Sequence, residues 1–154
     1  MKRDLGAGYE LDDSKERIDL AEVHRFLSEE SYWAKGRPYE KQEQFVQLAV
    51  RVVGLYYDGC QIGFCRAAYM PGLSSVYLAD VYVLDEHRGR GLGEQLVREM
   101  VENGPFAGYP WTLHTKDMHP LYRKFGFDIP SERLMERPRD YPDKRSTSQA
   151  SESG

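Results

Sequence analysis

The chain has 154 residues, a net charge of −4 and 40% hydrophobic residues, which suits one folded domain with its own core. The acidic balance argues against general nucleic-acid affinity. No apolar run approaches the roughly 20 residues of a membrane span, and the Met1-Lys2-Arg3-Asp4 start lacks the apolar stretch of a signal peptide, so a cytoplasmic protein without membrane or nucleic-acid partners is expected. Cys60 and Cys65 are the only cysteines and form no Cys-x-x-Cys pair; they read as buried or part-buried thiols rather than a disulfide or metal pair.

After the polar Asp12-Asp13-Ser14 turn, Leu20, Val23, Phe26 and Leu27 recur at helical spacing, which predicts an amphipathic helix over 19–30. Ser31-Tyr32-Trp33-Ala34-Lys35-Gly36-Arg37-Pro38 breaks the pattern, and Phe45, Leu48 and Val52 resume it from about Tyr39, so a loop separates two helices. Apolar and aromatic segments at 53–57 and 61–69 flank Asp58-Gly59, a strong hairpin signal. A third strand over 76–83 follows Pro71-Gly72-Leu73-Ser74 and completes an antiparallel meander. A helix over 91–102 carries Leu92, Leu96, Val97 and Met100 on one face and stops at Asn103-Gly104-Pro105. Next come a strand over 111–115, a short helix over 120–125 with Asp117 as its cap, and a final strand or strand pair covering Phe127 and 133–137. Beyond Tyr141 the composition turns to Pro, Asp, Lys, Arg, Ser and Thr, which divides the chain into a domain over 1–140 and a polar tail over 141–154.

The segment with the most chemical content is Arg88-Gly89-Arg90-Gly91-Leu92-Gly93, between a strand and an amphipathic helix. The first turn of a helix has N–H groups without intrahelical partners and a partial positive charge. Three glycines in five residues clear side chains from those N–H groups, so the backbone itself can bind a phosphate. A Walker loop would need Lys and then Ser or Thr where Glu94 and Gln95 stand. A dinucleotide fingerprint would need a small residue at 94 and a later acidic residue after a strand, where His114 and Thr115 occur.

What remains, Arg-x-x-Gly-x-Gly after a strand, resembles the acetyl-CoA signature of the GNAT superfamily of N-acyltransferases. Val81-Tyr82-Val83 ends five residues before Arg88, as in that family, and Leu121-Tyr122-Arg123-Lys124-Phe125-Gly126-Phe127 matches its second signature, Tyr-x-x-x-Gly-Phe. The resemblance implies an α+β fold: a mixed, mostly antiparallel central sheet flanked by helices and splayed at the acyl-CoA site. It also implies acetyl-CoA as co-substrate, with no metal. The pantetheine arm would pair with the backbone of Val81, Tyr82 and Val83, and Arg88, Gly89, Arg90, Gly91, Leu92 and Gly93 would wrap the diphosphate. One departure is that Thr115 stands where many members place a cofactor-contacting Asn, and Pro120 shortens the helix that follows.

In this resemblance Tyr122 is the candidate general acid for the departing CoA thiolate, a phenol of pKa near ~10 facing a thiol of roughly 8–9. Asp80, just before the triplet, is the first candidate for general base, with Glu30, His114 and His119 as others. His114, Asp117 and His119 match no standard zinc spacing. Tyr32 and Trp33, in the loop between the first two helices, are the candidates for lining the acceptor pocket, with cation–π help for a protonated amine. The expected activity is transfer of acetyl from acetyl-CoA to a primary amine by direct attack, the acceptor being a small-molecule amine or a peptide amine. The alternatives are a catalytically weak CoA-binding sensor module and a protein or peptide acetyltransferase. Exposed strand edges and family habit point to a homodimer.

Overall fold

The computed structural model describes residues 1–137. Six strands make one sheet in chain order: β1 (Lys2–Gly6), β2 (Tyr9–Asp12), β3 (Arg51–Tyr57), β4 (Cys60–Met70), β5 (Ser75–Val83) and β6 (Trp111–Thr112). The helices are α1 (Leu20–Glu29), α2 (Tyr39–Leu48), α3 (Leu92–Val101) and α4 (His119–Arg123). The first five strands pair antiparallel, and β6 lies parallel to β5, which requires the crossover that α3 supplies. This is the expected mixed α+β sheet. Among the described residues no helix is long and apolar enough to cross a membrane.

Two apolar layers follow from the alternation of the strands. Val53, Leu55, Cys65, Ala67, Val76 and Leu78 pack under Leu92, Leu96, Val97 and Met100 of α3. On the opposite face Val52, Phe64 and Tyr82 pack against Val23, Phe26 and Leu27 of α1 and Val46 of α2. In β5 the alternation changes phase. Val76 and Leu78 belong to the α3 layer, yet beyond Asp80 it is Val83, with Val81 packed against it, that belongs there, and Tyr82 faces the other way. The β4–β5 register shifts at this point, and Asp80 has φ +56°. One extra residue in a bulge reverses which face each later side chain takes, and here it sets Ala79 and Asp80 together on the α1/α2 face.

Three expectations are corrected. The single strand that the resemblance places before the first two helices is a hairpin, β1–β2, turned by Gly6-Ala7-Gly8, all at positive φ. No strand follows β6 among the described residues: 127–137 forms turns and irregular structure, because Pro130 interrupts it and Ile129, Leu134 and Met135 are exposed, leaving no buried face to pair. Cys60 is exposed at the start of β4, whereas Cys65 is buried. The tail over 141–154 and the end of the expected domain at 140 lie outside the described residues.

The C-terminal end of α3 is fixed to β3 by one buried cation. Arg51 Nη1 donates to the carbonyls of Glu99 at 2.6 Å and Met100 at 3.4 Å, and Nη2 reaches the Glu99 carboxylate at 3.2 Å. A cation suits a helix C-terminus. A Cβ on Gly104 would collide with this guanidinium, so Gly104→Ala is expected to cost roughly 1–3 kcal/mol and to lower Tm by about 3–10 °C. An unchanged melting curve would show that Arg51 is free to move.

Candidate active site

β6 pairs with β5 only at Val76–Trp111 and Tyr77–Thr112. Beyond that point the two chains part, and a cleft of about 350 Å³ opens between them. Its walls are Tyr77 to Val81 of β5, Leu113 to Thr115 after β6, Tyr122 of α4, Tyr32 and Trp33 of the α1–α2 loop, and Arg37, Phe45 and Arg66. This is the splay expected at an acyl-CoA site. Of the triplet 81–83, Val81 lines the cleft. The Tyr82 ring instead stacks on Phe26 at 4.0 Å and 11°, and Val83 joins the α3 layer. Only the backbone of these two residues remains for a ligand.

Tyr32 and Trp33 close one side of the cleft. Their rings meet edge to face at 5.1 Å. The backbone N–H of Lys116 donates to Tyr32 Oη at 3.0 Å, and Trp33 Nε1 donates to Asp80 Oδ1 at 3.1 Å. The loop is thereby tied to β5 and to the segment that follows β6, the two sides of the cleft. Both rings keep substantial exposure, 56% and 43%, so they present aromatic faces while their polar atoms hold the loop in place.

Asp80 is 4% exposed and both of its oxygens are engaged. Oδ2 accepts from Arg66 Nε at 2.6 Å and from Arg37 Nη1 at 2.9 Å, and Oδ1 accepts from Trp33. Burial pushes its carboxyl up, but Arg66 and Arg37 more than offset that and hold it below its ordinary value. A carboxylate so saturated is a poor proton acceptor. Its position at the bulge, in a conformation Asp tolerates better than most residues, fits an anchor that fixes the bend of β5.

Tyr122 lies on the other side of the cleft, 8% exposed. Pro120 starts the short helix α4, with Thr115 Oγ1, not Asp117, accepting the N–H of Met118 at 3.0 Å. The second signature has a plain structural basis. The Tyr122 carbonyl accepts from Phe125 at 2.9 Å and from Phe127 at 3.3 Å. Gly126, at φ +84°, reverses the chain so that the Phe127 ring returns to Tyr122 at 6.0 Å. The Tyr122 hydroxyl has no hydrogen-bond partner among the described residues, and burial pushes its phenol well above the ordinary value.

The glycine loop leads from the end of β5 into α3. Gly89 and Gly91 have φ +79° and +75°, a region closed to most side chains. No side chain caps α3, and the first bond of the helix is Gln95 N–H to Gly91 C=O, so the N–H groups of residues 92–94 face no acceptor within the helix. Cβ atoms added at Gly89, Gly91 or Gly93 would meet nothing within 4 Å. The space above this turn is open, as an anion cradle requires. Arg88 has structural work, since Nε donates to the Val83 carbonyl at 2.9 Å and Nη1 pairs with Asp85 at 2.6 Å; Arg90 is exposed and unpaired among the described residues. Lys124 of the second signature pairs with Glu94 at 3.1 Å, which joins the two signatures and neutralises a carboxylate next to the cradle.

Among the other base candidates, Glu30 pairs with Arg25 at 3.2 Å, and neither it nor His119 lines the cleft. His114 does line it, with Nδ1 against the Tyr77 hydroxyl and Nε2 3.3 Å from Glu136 Oε1. Arg37, Phe45, Arg66 and Tyr77 were not expected in the site. Arg66 carried a signal, a lone charge inside an apolar strand; Arg37 carried none, because only the folded loop brings it to Asp80 of β5.

The GNAT acetyltransferase domain model matches residues 49–129 of the chain. A Xanthomonas campestris pv. campestris structure described as belonging to the GNAT family is 31% identical, with TM-score 0.78, over 86% of this chain and 94% of that one. An aminoglycoside N-acetyltransferase solved with CoA shares the fold at 22% identity and TM-score 0.62, over 87% and 97% of the two chains. A GNAT-family acetyltransferase from Brucella melitensis, solved with acetyl-CoA, does so at 18% identity and TM-score 0.63, over 79% and 83%. Among proteins with curated descriptions, none is significantly similar in sequence. The splayed sheet, the two joined signatures and the family match lead to one conclusion: the chain belongs to the GNAT acetyltransferase family and is an acyltransferase.

Proposed function

We propose that the chain transfers the acetyl group of acetyl-CoA to the amine of a small molecule by direct attack, with Tyr122 as general acid. The observation that carries this reading is the unpartnered hydroxyl of Tyr122, a buried residue that lines the same cleft as the bulged part of β5. The residues present fit an extended thioester bearing a diphosphate: an unpaired stretch of β5 backbone leads directly to an open, glycine-lined helix N-terminus. Acetyl-CoA supplies the activated acyl thioester. Residues 92–94 offer backbone N–H groups to the diphosphate, joined by Arg90. The backbone of Val81, Tyr82 and Val83 pairs with the pantetheine arm as an added strand would. Tyr32 and Trp33 exclude water and present aromatic faces to the incoming amine. Asp80 positions β5 and the loop, and the proton of the amine leaves to water or, through the Tyr77 hydroxyl, to His114 Nδ1, whose Nε2 faces Glu136.

The tie between the Tyr32–Trp33 loop and the strands favours a small acceptor over an extended peptide. Release of CoA thiol from acetyl-CoA, measured across amino acids, aminophosphates, polyamines, aryl amines and peptides, tests this directly. Release with small amines supports the reading, release with peptides alone overturns the acceptor class, and acetyl-CoA binding without release would identify a binding module.

Gly93 sits in the first turn of α3 without positive φ and with open space around it. Gly93→Ala is therefore expected to stabilise the free protein by up to about 1 kcal/mol through helix propensity, while raising KM for acetyl-CoA, because the methyl group enters the cradle. An unchanged KM would separate this turn from the diphosphate.

A further inference from the structure

From the charges that line the cleft we infer that the acceptor is an anionic amine, one whose amino group is accompanied by a carboxylate or phosphate that binds Arg66. This rests on the N-acetyltransferase reading of the same cleft. Two guanidinium groups, Arg37 and Arg66, converge on a single carboxylate oxygen, Asp80 Oδ2, and their side chains are only 14% and 11% exposed. Two cations against one anion leave one positive charge unbalanced in a part-buried site, where screening by water is weak. Both guanidiniums lie over the same ring, Phe45, at 5.0 Å and 4.5 Å, which holds them in place at low cost in hydration.

Arg37 Nη1 is shared between Asp80 and Gln42 Oε1, the latter at 2.8 Å. Arg66 is different. It spends only Nε on Asp80, and neither Nη1 nor Nη2 has a hydrogen-bond partner among the described residues, although the side chain lines the cleft. A guanidinium held rigidly by Nε, with its four remaining N–H donors unmet, is preorganised for two parallel bonds to a carboxylate or phosphate. A second carboxylate, Asp117 just before α4, lines the cleft with Tyr122, whereas Arg66 is bonded to Asp80 on β5. The cleft is therefore polarised, with a place for an amine near Tyr122 and a place for an anion at Arg66. A volume of about 350 Å³ is at the small end of ligand pockets and suits a single amino-acid-sized acceptor.

The test compares kcat/KM for amino acids, their carboxamides, aminoalkyl phosphates and the matching uncharged amines, in the wild type and in Arg66→Lys. Lys keeps the charge beside Asp80 but loses the fork. The anionic amines are expected to be preferred over their uncharged counterparts by about 10- to 100-fold, the worth of charge-assisted hydrogen bonds, and Arg66→Lys is expected to erase most of that ratio through KM. Amino acids and aminoalkyl phosphates distinguish a carboxylate from a phosphate. Calorimetric binding of N-acetyl amino acids, with and without Arg66→Lys, reads the anion site independently of turnover, and stabilisation by acetyl-CoA shows that the variant is folded. Uncharged or cationic amines used as well as anionic ones overturn the inference and leave the N-acetyltransferase reading intact. Turnover of no amine, with N-acetyl amino acids still bound through Arg66, overturns the enzymatic reading and keeps the anion site.

Discussion

Tyr122→Phe is expected to lower kcat for acetyl transfer by roughly 10²–10⁴ while leaving Tm and acetyl-CoA binding close to wild type. The structure separates the two roles a buried tyrosine can have. Its ring belongs to the α3 layer and Phe preserves that packing. Its hydroxyl has no partner among the described residues, so removing it breaks no hydrogen bond and leaves no buried donor stranded. Desolvation pushes the phenol up, which keeps it protonated across neutral pH and makes it a donor rather than a base. The same desolvation acts on a thiolate formed in that cleft and raises the affinity of sulfur for a proton too, so the two groups stay matched. CoA-thiol release under saturating acetyl-CoA, alongside a melting curve, checks the prediction. An unchanged kcat removes Tyr122 from the chemistry, and a loss of kcat that tracks a loss of Tm assigns it to packing.

The sequence was readable where structure is local. The helix expected over 91–102 forms as Leu92–Val101 because its apolar stripe and its stops at Gly91 and Asn103 act within a few residues. Asp58-Gly59 turns the β3–β4 hairpin with both residues at positive φ, the chemistry that pair advertises. The failures are tertiary. Lys2, Arg3 and Asp4 are exposed on an edge strand, so β1 shows no apolar alternation and only Gly6-Ala7-Gly8 marked its hairpin. The final strand or strand pair expected over Phe127 and 133–137 does not form, and Leu134 and Met135 there stay exposed. In the site, the two signatures located Tyr122 and the glycine cradle because backbone conformation demands those glycines. The Arg37–Asp80–Arg66 group was hidden because a bulge leaves no mark on the hydrophobic pattern until its phase reversal is seen in three dimensions.

That hidden bulge carries the second large effect. Asp80→Asn is expected to lower stability by about 3 kcal/mol, since removing the charge leaves two part-buried guanidiniums without their shared anion; for a chain of this size the fall in Tm is roughly 6–12 °C. Water in the cleft keeps the cost at the low end. The pH dependence has a definite sign. The folded carboxyl lies below its ordinary value, so its contribution is complete above the unfolded value near ~3.9 and is lost as pH falls through the lower folded value. Asp80 therefore stays ionised from about pH 5 upward, and an acidic limb of activity above that pH belongs to another group. Backbone strain supplies an independent check, because Asp80 has φ +56°. Asp80→Gly relieves that strain and Asp80→Ala adds to it by about 1–2 kcal/mol, so Ala should melt below Gly although both lack the carboxylate. A general base predicts a different pattern: Asn as stable as the wild type, Gly and Ala separated only by backbone strain, and all three slow but recovering activity as rising pH deprotonates the amine itself. Melting curves of the Asn, Gly and Ala variants, together with their pH–rate profiles, separate an anchor from a base.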